Sequence, residues 1–125
     1  MIRPRSPVRP DRSHPVRMSD CIDYRERRRF DAAKMTKVTL FESPRLLLGL
    51  NCLEPGQSQT LHTHTDQDKF YFVLEGEGEF TVGREVSVHG PGCAIWAPAG
   101  VTHGVNVAGD QRLVVLVGIA PAPHG

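Results

Sequence analysis

From Lys37 onward, short runs of apolar or alternating residues are separated by turns rich in Gly, Pro, Asn and Asp. Side chains on a β-strand alternate between two faces, so runs of this kind are typical of half-buried strands. No segment of this region has the longer 3.6-residue periodicity of an amphipathic helix. We predict strands at residues 37–41, 45–53, 58–62, 69–74, 78–82, 86–88, 93–96, 104–107 and 112–119.

The order and length of these segments predict an all-β domain over residues 35–120. Turn residues at Pro55-Gly56, Glu75-Gly76 and Pro91-Gly92 suit tight connections between antiparallel strands. Many short strands without intervening helices favour an antiparallel barrel or jelly roll over a parallel sheet. The length of 125 residues is enough for one such domain with one core.

The first 34 residues differ in composition from the rest of the chain. Four prolines lie among arginines within the first fifteen residues, which disfavours helix and strand and leaves little apolar surface to bury. We expect a largely disordered Arg/Pro-rich extension over residues 1–34, with a short helix as an option between residues 20 and 33. A translation start at Met18 or Met35 is an alternative explanation of the extension. Residues 121–125 are expected to form a surface tail.

Charge and cysteine usage narrow the function classes. Residues 1–30 hold nine arginines against four acidic residues, whereas residues 31–125 hold six basic against ten acidic residues. The predicted barrel is therefore mildly acidic, and neither nucleic acid nor a membrane is an expected partner. The basic run at residues 25–29 is interpreted as a solvated face. Three widely spaced cysteines predict no disulfide framework and favour a reducing cytoplasm.

Three histidines are the strongest candidates for chemistry. His62 and His64 are one residue apart, so on a strand both imidazoles project from the same face. His103 comes much later, just after Pro98-Ala99-Gly100, where a turn can lead a new strand back beside the first. Imidazole is the commonest metal ligand in proteins, and neighbouring strands hold such donors rigidly. For any one of the three taken alone, an ordinary hydrogen-bonded histidine is the more frequent explanation.

Two motifs around these histidines resemble those of the cupin family. The first has Gly56, five residues, His62-Thr63-His64 and, after a gap, Gly76. The second has Gly92, five residues, Pro98-Ala99-Gly100, two residues and His103. Agreement in glycine, proline and histidine spacing across both motifs makes chance a poor explanation. The resemblance covers residues 56–107, and the flanking predicted strands suit the rest of a single-domain cupin.

The resemblance implies a double-stranded β-helix that holds a divalent metal through two histidines and a carboxylate of the first motif and the histidine of the second. The three histidines match, but the carboxylate does not. Counting back from Gly76 reaches Lys69, whereas counting forward from His64 reaches Asp68. A lysine ammonium has no lone pair for a metal. Either Asp68 turns inward through a bulge as a fourth ligand, or Lys69 faces the interior and three histidines hold the metal.

Lys69 and Tyr71 are candidate catalytic residues in the second alternative. They share one strand face, and the resemblance implies that this face points into the barrel. An interior ammonium can orient an anionic substrate or move a proton, and Tyr71 can do the same. An equally weighted alternative takes the Lys69 side chain to the barrel mouth, where it pairs with an acidic residue such as Asp66, Asp68 or Glu85. Tyr71 also has an ordinary explanation as a core residue.

Two functions are consistent with this sequence. The first is a metalloenzyme that uses Fe, Mn, Ni or Zn in a mainly histidine site for oxygenase or isomerase chemistry on a small, anionic organic molecule. The second is a binding or sensing module for a small ligand, in which the metal is structural or absent. Family resemblance does not choose between them, because function depends on the site rather than on the barrel. Pairing through exposed sheet edges would make the protein a homodimer.

Overall fold

The structure, a computed structural model, describes residues 20–123. Nine β-strands form the domain, and each of the nine predicted strands is present, with ends that differ by at most two residues. The strands are β1 (Thr36–Ser43), β2 (Leu46–Leu53), β3 (Ser58–His62), β4 (Asp68–Glu75), β5 (Gly78–Val82), β6 (Glu85–His89), β7 (Ala94–Ala97), β8 (His103–Val107) and β9 (Leu113–Ala120).

The strands form two antiparallel sheets. The larger sheet has five strands in the order β1-β2-β9-β4-β7, and the smaller has four in the order β3-β8-β5-β6. Strands that are consecutive in the chain often lie in different sheets, so the chain crosses repeatedly from one sheet to the other. This arrangement confirms the predicted all-β, double-stranded β-helix fold.

The space between the sheets holds the main core. Residues at alternate positions point inward, which is clearest on β4, where Lys69, Tyr71 and Val73 are buried and their neighbours are less so. Apolar side chains from both sheets fill one end of this space, including Leu53, Phe80, Val105, Leu113 and Val115. The apolar packing at this end leaves the polar inward residues at the other end, where the histidines lie.

A second apolar cluster lies on the outer face of the five-stranded sheet. Leu50, Cys52 and Val114 form its buried centre, and Tyr24 and Phe30 from the N-terminal segment pack against them. This segment contains a three-residue 3₁₀ helix, Tyr24–Glu26, within the region where a short helix was an option. The rest of the expected disordered extension, residues 1–19, lies outside the described residues.

An ion pair joins the N-terminal segment to the barrel. The guanidinium of Arg28 donates to both carboxylate oxygens of Glu75 at 2.8 Å.

Cys21, Cys52 and Cys93 are all free thiols. Across residues 20–123, no helix has the length and apolar character needed to cross a membrane.

Candidate metal centre

Three imidazoles converge at the edge where β3 meets β8. His62 ends β3 and pairs in register with His103, which begins β8. His64 lies two residues beyond the end of β3, so strand alternation does not set its direction. The ring centroids are 4.8 Å apart for His62 and His64, 4.4 Å for His62 and His103, and 5.6 Å for His64 and His103. One nitrogen of each ring lies within 4.8 Å of the others.

Backbone carbonyls fix the tautomers of His62 and His103. In each case Nδ1 lies close to the carbonyl oxygen of the residue two positions earlier, Thr60 at 2.8 Å and Val101 at 3.0 Å. A carbonyl can only accept, so Nδ1 is the protonated nitrogen and Nε2 keeps its lone pair. The buried Nε2 of His103 has no hydrogen-bond partner. A hydrogen bond from Nδ1 to a backbone carbonyl, as in His62 and His103, is typical of histidines that bind a metal through Nε2.

Burial keeps two of these imidazoles neutral at pH 7. Burial lowers the pKa of His103 to about 4, outweighing the opposing effect of its bond to Val101. Burial also lowers the pKa of His64, with smaller contributions from His62 and two lysines. Neutral imidazoles are the form that binds metal. The nitrogen spacing, the tautomers and the unpaired Nε2 of His103 therefore fit a divalent transition metal.

The turn between β7 and β8 holds His64 in position. The backbone N–H of Gly100 donates to the carbonyl oxygen of His64 at 2.7 Å. The hydroxyl groups of Thr63 and Thr102 are hydrogen-bonded to each other at 2.8 Å. Gly100 has a φ of +81°, a conformation that glycine adopts at little cost. The Pro-x-Gly of the second motif thus supports a histidine of the first.

The structure does not bring Asp68 to the three histidines. Asp68 begins β4 on the exposed face, and its carboxylate accepts a hydrogen bond from the backbone N–H of Ala99 at 3.0 Å. The pairing of β4 with β7 and β9 is regular here, so alternation turns Asp68 outward and Lys69 inward. Among the described residues, the cluster that could hold a metal contains only His62, His64 and His103.

Lys69 is buried without an acidic partner. Its side chain is 3% exposed, and Nζ lies 4.7 Å from the centre of the Tyr71 ring. Within residues 20–123, no carboxylate lies within ion-pair distance of it. Burial, with a smaller contribution from Lys37, lowers the pKa of Lys69 to about 8. The Lys69 side chain therefore remains mainly protonated at pH 7, inside the barrel rather than at its mouth.

The Tyr71 ring lies close to both Lys69 and His103. Its ring centroid is 6.1 Å from that of His103, and its hydroxyl donates to Oε1 of Gln59 at 2.7 Å. Burial raises the pKa of Tyr71 well above its usual range. The phenol is therefore neutral, and Gln59 from the opposite sheet fixes its orientation.

Two neighbouring cavities, which share lining residues, lie next to one another at the histidine end of the barrel. An outer cleft of about 490 Å³ is lined in part by His62, His64, Gln59 and Lys37. An inner cavity of about 160 Å³ shares Gln59 and Lys37 with the cleft and extends to Lys69 and Asn51. Sequence reasoning missed Lys37, Asn51 and Gln59. A signal existed only for Asn51, a polar residue at an inward position of the otherwise apolar strand β2.

Comparison with known proteins gives one family match and two curated relatives. The cupin domain family model Cupin_2 matches residues 49–119. An uncharacterized protein of Streptomyces coelicolor is 34% identical over 70 residues, which cover 55% of this chain and 66% of that protein. A 5-nitrosalicylic acid 1,2-dioxygenase of Bradyrhizobium is 32% identical over 75 residues, which cover 60% of this chain and 36% of that protein. The chain thus spans less than two thirds of each relative.

Solved structures with the same fold cover more of the chain. The TT1209 protein of Thermus thermophilus is 40% identical, with a TM-score of 0.81 over 83% of this chain and 99% of that chain. An RmlC-like cupin protein of Desulfovibrio desulfuricans is 34% identical, with a TM-score of 0.66 over 74% of this chain and 88% of that chain.

Proposed function

Because this chain belongs to the cupin family, we propose that it binds a divalent transition metal and catalyses oxygenase chemistry on a small organic molecule. The observation that carries the proposal is the convergence of three imidazoles whose ligand nitrogens lie within 4.8 Å of one another. The unpaired, buried Nε2 of His103 supports it, because a buried acceptor without a partner is rare unless a ligand completes it.

Three histidine ligands leave coordination positions open for a substrate. A first-row ion bound there would supply Lewis acidity and, in the case of Fe(II), the capacity for oxygen chemistry. The Bradyrhizobium relative is a dioxygenase, which favours oxygenase over isomerase chemistry for this chain. The aligned region covers 36% of that protein. We therefore propose its class of activity, but not its substrate, for this chain.

The residues around the histidines have separate roles in this proposal. The backbone carbonyls of Thr60 and Val101 hold the rings of His62 and His103 with Nε2 toward the shared point. The ammonium of Lys69 supplies positive charge beside the substrate position. Tyr71, held by Gln59, gives the site a neutral ring of fixed orientation beside Lys69 and His103.

A second candidate is a binding module that captures a small molecule without transforming it. The observation that favours it is that Asp68 points away from the histidines, so no described carboxylate adds negative charge to the metal ligands. Such a set binds metal more weakly than one with a carboxylate, and the ammonium of Lys69 weakens it further.

Metal analysis tests the proposal directly. Protein purified without chelator is measured by mass spectrometry of its metals, and metal-free protein is titrated with Fe, Mn, Ni, Cu and Zn. We expect about one equivalent of metal per chain, as in other mononuclear sites. His62→Ala and His103→Ala should abolish binding. His89→Ala is the matched control, because that ring bonds the Ser87 hydroxyl instead. Absence of metal together with no binding in any titration would overturn the proposal.

Oxygen uptake separates the two candidates. Fe(II)-loaded protein is mixed with substituted salicylates, including 5-nitrosalicylate, in a closed oxygen-electrode cell. Uptake that depends on both the organic acid and His103 supports the enzyme. Saturable binding of an acid without oxygen uptake or product, across the panel, favours the binding module.

A further inference from the structure

Two buried polar side chains line the inner cavity. Lys69 is 3% exposed and Asn51 is 4% exposed, and both line the cavity of about 160 Å³. The Nδ2 of Asn51 makes no hydrogen bond. A buried amide N–H is rarely left unsatisfied inside a protein unless a ligand supplies the missing acceptor.

Strand pairing places a third donor beside them. Lys37 of β1 is the register partner of Asn51 of β2, so both side chains lie on the inward face of the five-stranded sheet. Lys37 lines both cavities and acts electrostatically on Lys69. Within residues 20–123, no acidic group forms an ion pair with either lysine. The cavity is therefore lined by the buried ammonium of Lys69, the amide N–H of Asn51 and the solvent-exposed Lys37 at its edge, and neither lysine has an ion-pair partner among the described residues.

The cavity size limits what it can hold. A volume of about 160 Å³ corresponds to roughly five water molecules at about 30 Å³ each. This is below the usual range for a whole ligand of about 300–1,000 Å³, so the cavity accommodates one functional group. The larger outer cleft, which contains His62 and His64, has room for the remainder.

We infer that Lys37, Asn51 and Lys69 form a binding site for the carboxylate of a small organic acid, whose remaining atoms occupy the outer cleft beside the histidines. Ammonium and amide N–H groups are the donors that a carboxylate requires, and charge-assisted bonds in a buried site are strong. This inference rests on the proposed function for the identity of the site and names the class of its substrate. Binding of the acid itself does not require the metal.

Benzoate and its neutral counterpart benzamide test this inference. Isothermal titration calorimetry is performed on metal-free wild-type protein at pH 7 in a chloride-free buffer. We expect benzoate to bind at least about tenfold more tightly than benzamide, because only the former offers an anion to the two lysines. Equal affinities for the two probes would overturn the inference without any substitution.

Variants locate the carboxylate. Lys69→Met and Asn51→Leu keep side-chain volume but remove the donors, and each should weaken benzoate binding by about fivefold or more while leaving benzamide unchanged. Arg84→Met is the matched control, because Arg84 is an exposed cation that lines neither the inner cavity nor the outer cleft. Wild-type affinity in Lys69→Met, or an equal loss in Arg84→Met, would contradict the assignment.

A crystal structure with 4-bromobenzoate gives a readout that does not depend on variants folding. Anomalous scattering from bromine should place the ring in the outer cleft, with the carboxylate within hydrogen-bond distance of Lys69 Nζ. A carboxylate found elsewhere would overturn the inference. Benzoate preference without metal binding would remove the proposed function but not this site, whereas metal binding without benzoate preference would remove only this site.

Discussion

Lys69 is a positive charge that folding removes from water. Burial lowers its pKa from 10.5 to about 8, so the unfolded chain binds this proton more tightly than the folded protein does. Stability therefore rises with pH between about 8 and 10.5, where only the unfolded state keeps the proton. Below pH 8 Lys69 is protonated in both states, so the cost of burying its ammonium lowers the free energy of unfolding by its full amount.

Replacing Lys69 should stabilise the free protein. Lys69→Met is expected to raise the free energy of unfolding at pH 7 by up to about 3–4 kcal/mol, because the folded and unfolded pKa values differ by roughly 2.5 and each pKa unit is worth about 1.36 kcal/mol. The gain should shrink as pH approaches 10. Urea unfolding of wild type and variant at pH 7 and pH 10 checks both statements, with the exposed Lys34→Met as control. A gain that does not change with pH would show that packing, not charge, is responsible.

His103 makes stability depend on pH in the acidic range. Its folded pKa of about 4 lies below the usual 6.5, so the unfolded chain binds the proton more tightly here as well. Above pH 6.5 His103 is neutral in both states and stability is at its full value. As pH falls from 6.5 toward 4, the unfolded chain takes up the proton first, so the free energy of unfolding decreases. For metal-free protein, urea unfolding between pH 7.5 and 4.5 should show a shallower decline in His103→Asn than in wild type. Parallel declines would contradict the low pKa.

The sequence reveals the histidines better than it reveals the cavity. Fixed motif spacing identifies His62, His64 and His103, because glycine and proline positions determine the turns that bring them together. Asn51 and Lys37 are adjacent only through the register of β1 and β2, which no local pattern specifies. The Asp68 carboxylate was the least predictable feature, since one residue of register decides whether a side chain faces inward or outward.

Strand β3 is an edge strand that ends at His62, one of the three histidines of the site. It lies at the edge of the four-stranded sheet and pairs only with β8, with an irregularity between Gln59 and His62. Unpaired edge strands open more readily than central ones. A metal held by His62, His64 and His103 would link β3 to β8 a second time.

Metal should therefore slow hydrogen exchange in β3. With Zn²⁺ at about 100 times its dissociation constant, openings that break the site become up to about 100-fold rarer, equivalent to about 2.7 kcal/mol. Hydrogen exchange with mass spectrometry of peptides covering residues 58–64 measures this. The central strand β9 provides the internal control, and its exchange should change much less. Equal slowing in both strands would indicate global rather than local stabilisation.

Strand positions were predictable because the period-two pattern is local. Strand ends differ slightly from prediction because hydrogen-bonded partners, rather than the sequence alone, determine where pairing stops. For instance, β4 includes Asp68 and Glu75 at its ends, which pair with Ala120 and Val114.

The N-terminal segment completes the apolar packing outside the barrel. Tyr24 and Phe30 cover Leu50, Cys52 and Val114, and the guanidinium of Arg112 lies 4.3 Å from the centre of the Phe30 ring. This role was not predictable, since two aromatic residues among many charged ones make no periodic pattern.

Removing the Phe30 ring should loosen this cover. Phe30→Ala is expected to reduce the free energy of unfolding by about 1–3 kcal/mol, less than for a fully buried ring, and to expose Cys52, which is fully buried in the wild type. Thermal unfolding and the rate of thiol labelling at Cys52, located by peptide mass mapping, test both effects. Phe41→Ala is the control, because Phe41 is 37% exposed and is not among the residues that pack against this cluster. Unchanged labelling of Cys52 would contradict the covering role.

The two parts of the proposed site come from different sheets. The four-stranded sheet and its flanking turn supply the histidines, whereas Lys37, Asn51 and Lys69 all belong to the five-stranded sheet. Divergent copies of this gene could therefore exchange one set while retaining the other. Replacing only Lys37, Asn51 and Lys69 would change which compound binds, for example from an acid to an amine, while the histidines would still hold the same metal ion.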